Sequence, residues 1–118
     1  MVDNDRAARE SLRAQLQANG YEVNLVSDGF TALMQARTFR PNLIIQELTL
    51  PRMDGYMLCQ LIKINDVYKN IPVLVLSAGL TEEAIQRLQN QGANAWMTKP
   101  YAAEQLLKKI EELVAGPA

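Results

Sequence analysis

The sequence predicts an α/β fold, one parallel β-sheet with helices on both faces. Two short apolar runs, Leu43-Ile44-Ile45 and Ile71 to Leu76, read as strands buried on both sides, as strands of parallel sheets are. Around them, stretches with apolar residues at helical spacing alternate with strand-like runs five times along the chain. That alternation implies right-handed βαβ crossovers within a single sheet.

Met1-Val2 reads as the tail of a first strand, with Asn4 or Asp5 capping a helix to about Asn19. Ala8, Leu12 and Leu16 fall on one stripe, and Gly20 stops the helix. Tyr21 to Val26 is expected as a strand. Ser27-Asp28-Gly29 then caps a helix from Phe30 to about Phe39, which offers Leu33, Met34 and Ala36 to the core. Arg40-Pro41 ends it, because a residue before proline avoids the α region. The third strand begins after Pro41 and closes on Glu47. Met53-Asp54-Gly55 is a turn, and Tyr56 to about Ile64 a helix using Met57, Leu58, Leu61 and Ile62. A polar connection, Asn65 to Asn70, leads to the fourth strand and to Ser77 at its end. Thr81 caps the next helix, with Glu82 and Glu83 in its first turn, where the helix dipole favours acids. Ala95 to Thr98 is the fifth strand, Lys99-Pro100 a loop, and Ala102 to about Val114 the last helix. Residues 1–114 form one domain, and 115–118 a tail or the start of a linker.

Composition narrows the function. The chain has 118 residues, 48% of them hydrophobic and 21% charged, as in ordinary globular domains. A net charge of −1 offers no general field for nucleic acid or an anionic membrane. There is no histidine, which removes histidine-based catalytic triads and imidazole zinc sites. The single cysteine, Cys59, lies in an apolar helical pattern and reads as a core residue. No apolar run approaches the ~18 residues that span a bilayer, and no signal peptide is visible, so a cytoplasmic location is expected.

At the carboxyl ends of the expected strands stand Asp3 and Asn4, Glu47, Ser77 and Lys99. In an open parallel sheet such ends converge on one rim, where ligands bind. Acids suit Mg²⁺, while a hydroxyl and an ammonium suit phosphoryl oxygens. Asp5 and Asp54 have structural explanations, as a cap and a turn residue.

With these residues goes a wider pattern: Val2-Asp3-Asn4-Asp5, Asp28-Gly29, Pro41-Asn42-Leu43-Ile44, Leu50 to Gly55, Ile71-Pro72-Val73 with Ser77-Ala78, Gly92-Ala93 and Lys99-Pro100-Tyr101. Over essentially its whole length the chain resembles the receiver domains of two-component response regulators. The resemblance implies a flavodoxin-like fold with strand order 2-1-3-4-5. It also implies a signalling module rather than an enzyme, with a sensor histidine kinase or an output protein as partner, as monomer or dimer. In that family an aspartate after the third strand accepts a phosphoryl group. An acidic pair and a backbone carbonyl hold Mg²⁺, and a Ser/Thr and a Lys bind the phosphoryl oxygens. Here Asp3, Ser77 and Lys99 match in type, and Thr49 would supply the carbonyl. Trp96 stands at the family's aromatic switch position, and it reads equally well as a half-buried packing tryptophan. With Tyr101 it belongs to the partner face of helix four, strand five and helix five. The Lys99-Pro100 bond is expected cis by the same resemblance.

Two positions depart: Glu47 replaces the phosphoacceptor aspartate, and Asn4 the second acid. The extra methylene moves the carboxylate by about 1.5 Å, roughly one carbon–carbon bond. In-line attack needs atoms ~3–3.5 Å apart and aligned, so that shift can cost about a hundredfold. An amide for an acid weakens Mg²⁺ further. Glu47 could instead reach toward Lys99. A pseudo-receiver, poorly or not phosphorylated, is therefore expected. Two alternatives stand beside it: an authentic phosphoacceptor in which Glu47 is an engineered phosphate mimic, and a small flavodoxin-like enzyme or nucleotide binder. The family also has a longer apolar run before the Val-Asp pair, so the first strand is expected very short or truncated.

Overall fold

The computed structural model describes residues 6–22, 29–48, 54–99 and 101–115. Along them run α1 (Arg6–Ala18), α2 (Gly29–Phe39), β1 (Ile44–Glu47), α3 (Gly55–Ile64), β2 (Val73–Ser77), α4 (Glu82–Asn90), β3 (Ala95–Thr98) and α5 (Ala103–Ala115). The strands lie parallel in the order β1-β2-β3. They correspond to the third, fourth and fifth strands expected. The first strand, residues 23–26 of the second, the Asp3–Asp5 cap, the Lys99-Pro100 bond and residues 116–118 lie outside the described residues.

Local chemistry sets most element ends. Asp54 caps α3, its carboxylate accepting from Met57 N at 2.8 Å, and Thr81 caps α4, accepting from Ala84 N at 3.1 Å. Gly20 (φ 88°) and Gly92 (φ 91°) take the left-handed backbone that closes helices, a conformation that costs glycine little. Asn94 brackets the start of the sheet: its Oδ1 accepts from Val73 N at 2.9 Å, and its N–H donates to Val73 O at 3.0 Å. This fixes Leu74 opposite Ala95.

β2 is buried throughout, as the middle strand of the three should be. Alternation along the strands divides the core in two. Ile44, Val73 and Val75 join Leu58 and Ile62 of α3 and Leu88 of α4 on one face. On the other, Ile45, Leu74 and Leu76 join Leu12 and Leu16 of α1 and Leu106 and Ile110 of α5. Cys59 is fully buried in the first cluster.

Some expectations are corrected. Met34 and Met57 are not core: they are 60% and 50% exposed. One residue is about 100° on a helix, so Ala36 and Leu58 can be buried while Met34 and Met57 turn to solvent. The fourth strand starts at Val73 rather than Ile71 and includes Ser77. Pro72 has no N–H for a ladder and instead lends its carbonyl to Ile44 N at 3.0 Å. Gly55 is the first residue of α3, not part of the turn before it.

Candidate functional site

All three strands stop within one residue of the same level. Glu47, the last residue of β1, is level with Leu76, and Ser77, the last of β2, with Thr98. Lys99 follows directly, its N–H donating to Ser77 O at 2.9 Å. Glu47, Ser77 and Lys99 therefore share one rim, at the carboxyl ends of the strands. Asp3, Asn4 and Thr49, the other residues expected there, lie outside the described residues.

β1 and β3 are separated by β2, two strand spacings or ~10 Å. Long side chains cross that distance. Lys99 Nζ meets Glu47 Oε2 at 2.5 Å above the end of β2. The other carboxylate oxygen, Oε1, accepts from Leu48 N at 3.1 Å. The two side chains are only 12% (Glu47) and 25% (Lys99) exposed, so their attraction is screened less than that of surface pairs. Ser77 is buried, and its hydroxyl accepts from Gly79 N at 3.3 Å. A hydroxyl that accepts there still carries a hydrogen to donate.

Trp96 and Tyr101 are both half-buried but pack on opposite faces of the sheet. Trp96 joins the cluster of α3 and α4, and Tyr101 that of α1 and α5. Tyr56 is also half-buried, under the guanidinium of Arg87, whose carbon lies 3.9 Å from the ring centre.

Sequence reasoning missed Gln46 and the closeness of Gly55. Gln46 is 1% exposed, and its Nε2 donates to Gly55 O at 2.6 Å. The signal was a lone carboxamide inside an apolar strand. A Cβ on Gly55 would overlap the Glu47 carbonyl oxygen and come within 2.6 Å of Leu48 Cα. Only glycine lets α3 begin that close to the strand end.

Among the described residues no cluster of three or more His, Cys, Asp or Glu side chains is placed to hold a metal ion. Both oxygens of Glu47 already accept, one from an ammonium. By themselves the described residues do not fit a divalent cation. A cavity of about 480 Å³ lies elsewhere, lined by Ile44 and Ile45 of β1, Ala36 of α2 and Ile110 of α5. None of Glu47, Ser77 or Lys99 lines it.

The family model for the response regulator receiver domain matches residues 1–111. Response regulator MprA of Mycobacterium leprae is 39% identical over 114 residues, 96% of this chain and 49% of that protein. The chain thus spans about half the length of the curated relatives it matches. Among solved structures, the chemotaxis response regulator CheY4 of Vibrio cholerae is 32% identical with a TM-score of 0.88, over 95% of this chain and 93% of that one. The Mn²⁺-bound form of response regulator Rcp1 is 26% identical with a TM-score of 0.75, over 93% and 86%. The fold is flavodoxin-like, and β1, β2 and β3 are its described strands.

Proposed function

Because the chain belongs to the response regulator receiver domain family, a signalling family of two-component systems, we propose that it is a receiver whose phosphoacceptor position no longer takes a phosphoryl group efficiently. The observation that carries this reading is the Glu47–Lys99 pair. In the family's pocket a lysine neutralises the incoming phosphoryl oxygens; here its ammonium already faces a resident carboxylate. The added methylene supplies the reach, and it also displaces the carboxylate from the position an attacking aspartate would hold. An incoming phosphoryl group must therefore break an ion pair before it finds its countercharge.

Ser77 and Lys99 are read as the remnant of the phosphate pocket. Mg²⁺ is weakly held at most, since Glu47 is engaged, Asn4 is an amide, and Asp3 and the Thr49 carbonyl would carry the load. The Mn²⁺-bound Rcp1 supports a divalent ion as the metal class for such a rim. The domain then acts through protein contacts with a sensor histidine kinase or an output partner. The face of α4, β3 and α5, bearing Trp96 and Tyr101, is the surface we assign to that contact. No described helix is long and apolar enough to cross a membrane, and the domain is read as cytoplasmic.

The test is incubation with acetyl phosphate and Mg²⁺, followed by intact-mass measurement and peptide mapping. No adduct is expected. A stoichiometric acyl phosphate on Glu47 would overturn the reading.

A further inference from the structure

Gln46 is out of place in its strand. Residues 44–47 are Ile-Ile-Gln-Glu, and the glutamine is as buried as the isoleucines before it. Burying a carboxamide strips water from both its polar ends, and an end left without a partner is costly. Nε2 is satisfied by Gly55 O at 2.6 Å, but Oε1 is buried with no hydrogen-bond partner among the described residues. A leucine or methionine would fill similar space at neither cost. Packing alone does not account for the residue.

The carboxamide holds a joint. On one side of Gly55, its carbonyl accepts from Gln46 Nε2; on the other, its N–H donates to Leu48 O at 2.7 Å. Between these two ties lies the peptide of Glu47, whose carbonyl oxygen stands where a Cβ on Gly55 would overlap it. Asp54, capping α3 through Met57 N, anchors the helix end of the joint. The backbone from which the Glu47 side chain departs is thus clamped to α3 from both flanks. From that clamp the carboxylate crosses above β2 to reach Lys99.

We propose that Gln46 is a positioning residue for the Glu47–Lys99 pair, its buried carboxamide tying the end of β1 to the start of α3 so that Glu47 is aimed across the rim. The proposal rests on the reading of that rim as the functional site and adds the residue that sets its geometry. Loss of the tie leaves the core filled but frees the strand end to rotate, and the pair opens more often.

The test compares Gln46→Leu and Gln46→Met with the parent by brief acetylation with acetic anhydride, mass spectrometry reading Lys99 and Lys63 separately. Lys63 is the internal reference, since its amine is held at a distance from Gln46 by the carbonyls of Ile71 (2.8 Å) and Lys69 (3.3 Å). Glu47→Gln, which removes the carboxylate, sets the ceiling for Lys99. Lys99 labelling is expected to rise about fivefold in both Gln46 variants, the population change of one modest interaction. Lys63 labelling stays constant, and thermal stability is equal or higher because the orphaned acceptor is gone. Unchanged Lys99 labelling in both variants refutes the proposal. So does a parallel rise of Lys99 and Lys63 with a lower melting temperature, which is a merely structural effect. Phosphorylation of the parent chain, with Lys99 labelling still governed by Gln46, would sink the proposed function and leave this inference standing.

Discussion

Lys99 Nζ lies 2.5 Å from Glu47 Oε2, an ion pair thrown from the first described strand to the third over the end of the one between them. Each side chain is mostly withdrawn from water, so each replaces part of the solvation the other has lost.

Lys99→Met tests that dependence. The substitution keeps the length of the stem but leaves a half-buried carboxylate without its ammonium. Urea unfolding should show a loss of about 1–3 kcal/mol, the usual cost of an unsatisfied buried polar group. A loss that vanishes in the Glu47→Gln, Lys99→Met double variant would assign it to the pair.

Glu47→Asp shortens the acid by one methylene and returns the family's residue to this position. Acetyl phosphate and Mg²⁺ should then yield a phospho-aspartate, at a rate at least ~100-fold above that of the parent. Asn4→Asp added to it should raise the yield further. Mass spectrometry of the intact chain reads both.

Gly55→Ala and Gly79→Ala should part company. At Gly55 a methyl group runs into the backbone of Glu47 and Leu48, and overpacking of that kind costs about 1–3 kcal/mol or more. At Gly79 nothing among the described residues lies within 4 Å of the added Cβ, and the backbone is not left-handed. Alanine there should be neutral or stabilise by about 0.4–1 kcal/mol, through a less flexible unfolded chain. Thermal melts of the two variants distinguish the positions.

Alkaline pH should expose Cys59. Burial holds its thiol above the ordinary 9.0, opposed in part by the nearby Lys63 ammonium. In the unfolded chain the thiol ionises from 9.0, while the folded chain keeps the proton, so this contribution to stability falls as pH climbs past 9.0. Lys63 works the other way: burial lowers its pKa below 10.5, so its contribution rises as pH climbs toward 10.5. Cys59→Ala removes the first contribution, and with it the thiolate's opposition to the lowering at Lys63. Its stability deficit against the parent, about 1 kcal/mol at neutral pH, should shrink above pH 9.0 in urea titrations.

Much of this arrangement was legible in the residues. Leu43 to Ile45 and Ile71 to Leu76 announce strands because two-sided burial demands unbroken apolar runs, and Thr81 announces a helix because its hydroxyl can replace a missing backbone acceptor. Parallel strands bring their carboxyl ends to one rim, so Glu47, Ser77 and Lys99, at or just past the ends of the third, fourth and fifth strands, gather there. The faces of helices were harder to read. Met34 and Met57 fit a helical stripe as well as their neighbours do, and only the packing of α2 and α3 on the sheet decides that Ala36 and Leu58 turn inward. Gln46 was invisible in its role because its partner is a backbone carbonyl, which carries no signature in the side-chain alphabet. The same holds for Gly55, whose necessity is a distance between two backbones.

Trp96, the only tryptophan in the chain, sits in β3 beside Val75, three residues ahead of Lys99. A rearrangement of the rim that shifts the Lys99 backbone moves the strand that carries this indole. Its intrinsic fluorescence is therefore a label-free gauge of the state of the rim, and partner docking on that side of the sheet would register as a shift in emission wavelength.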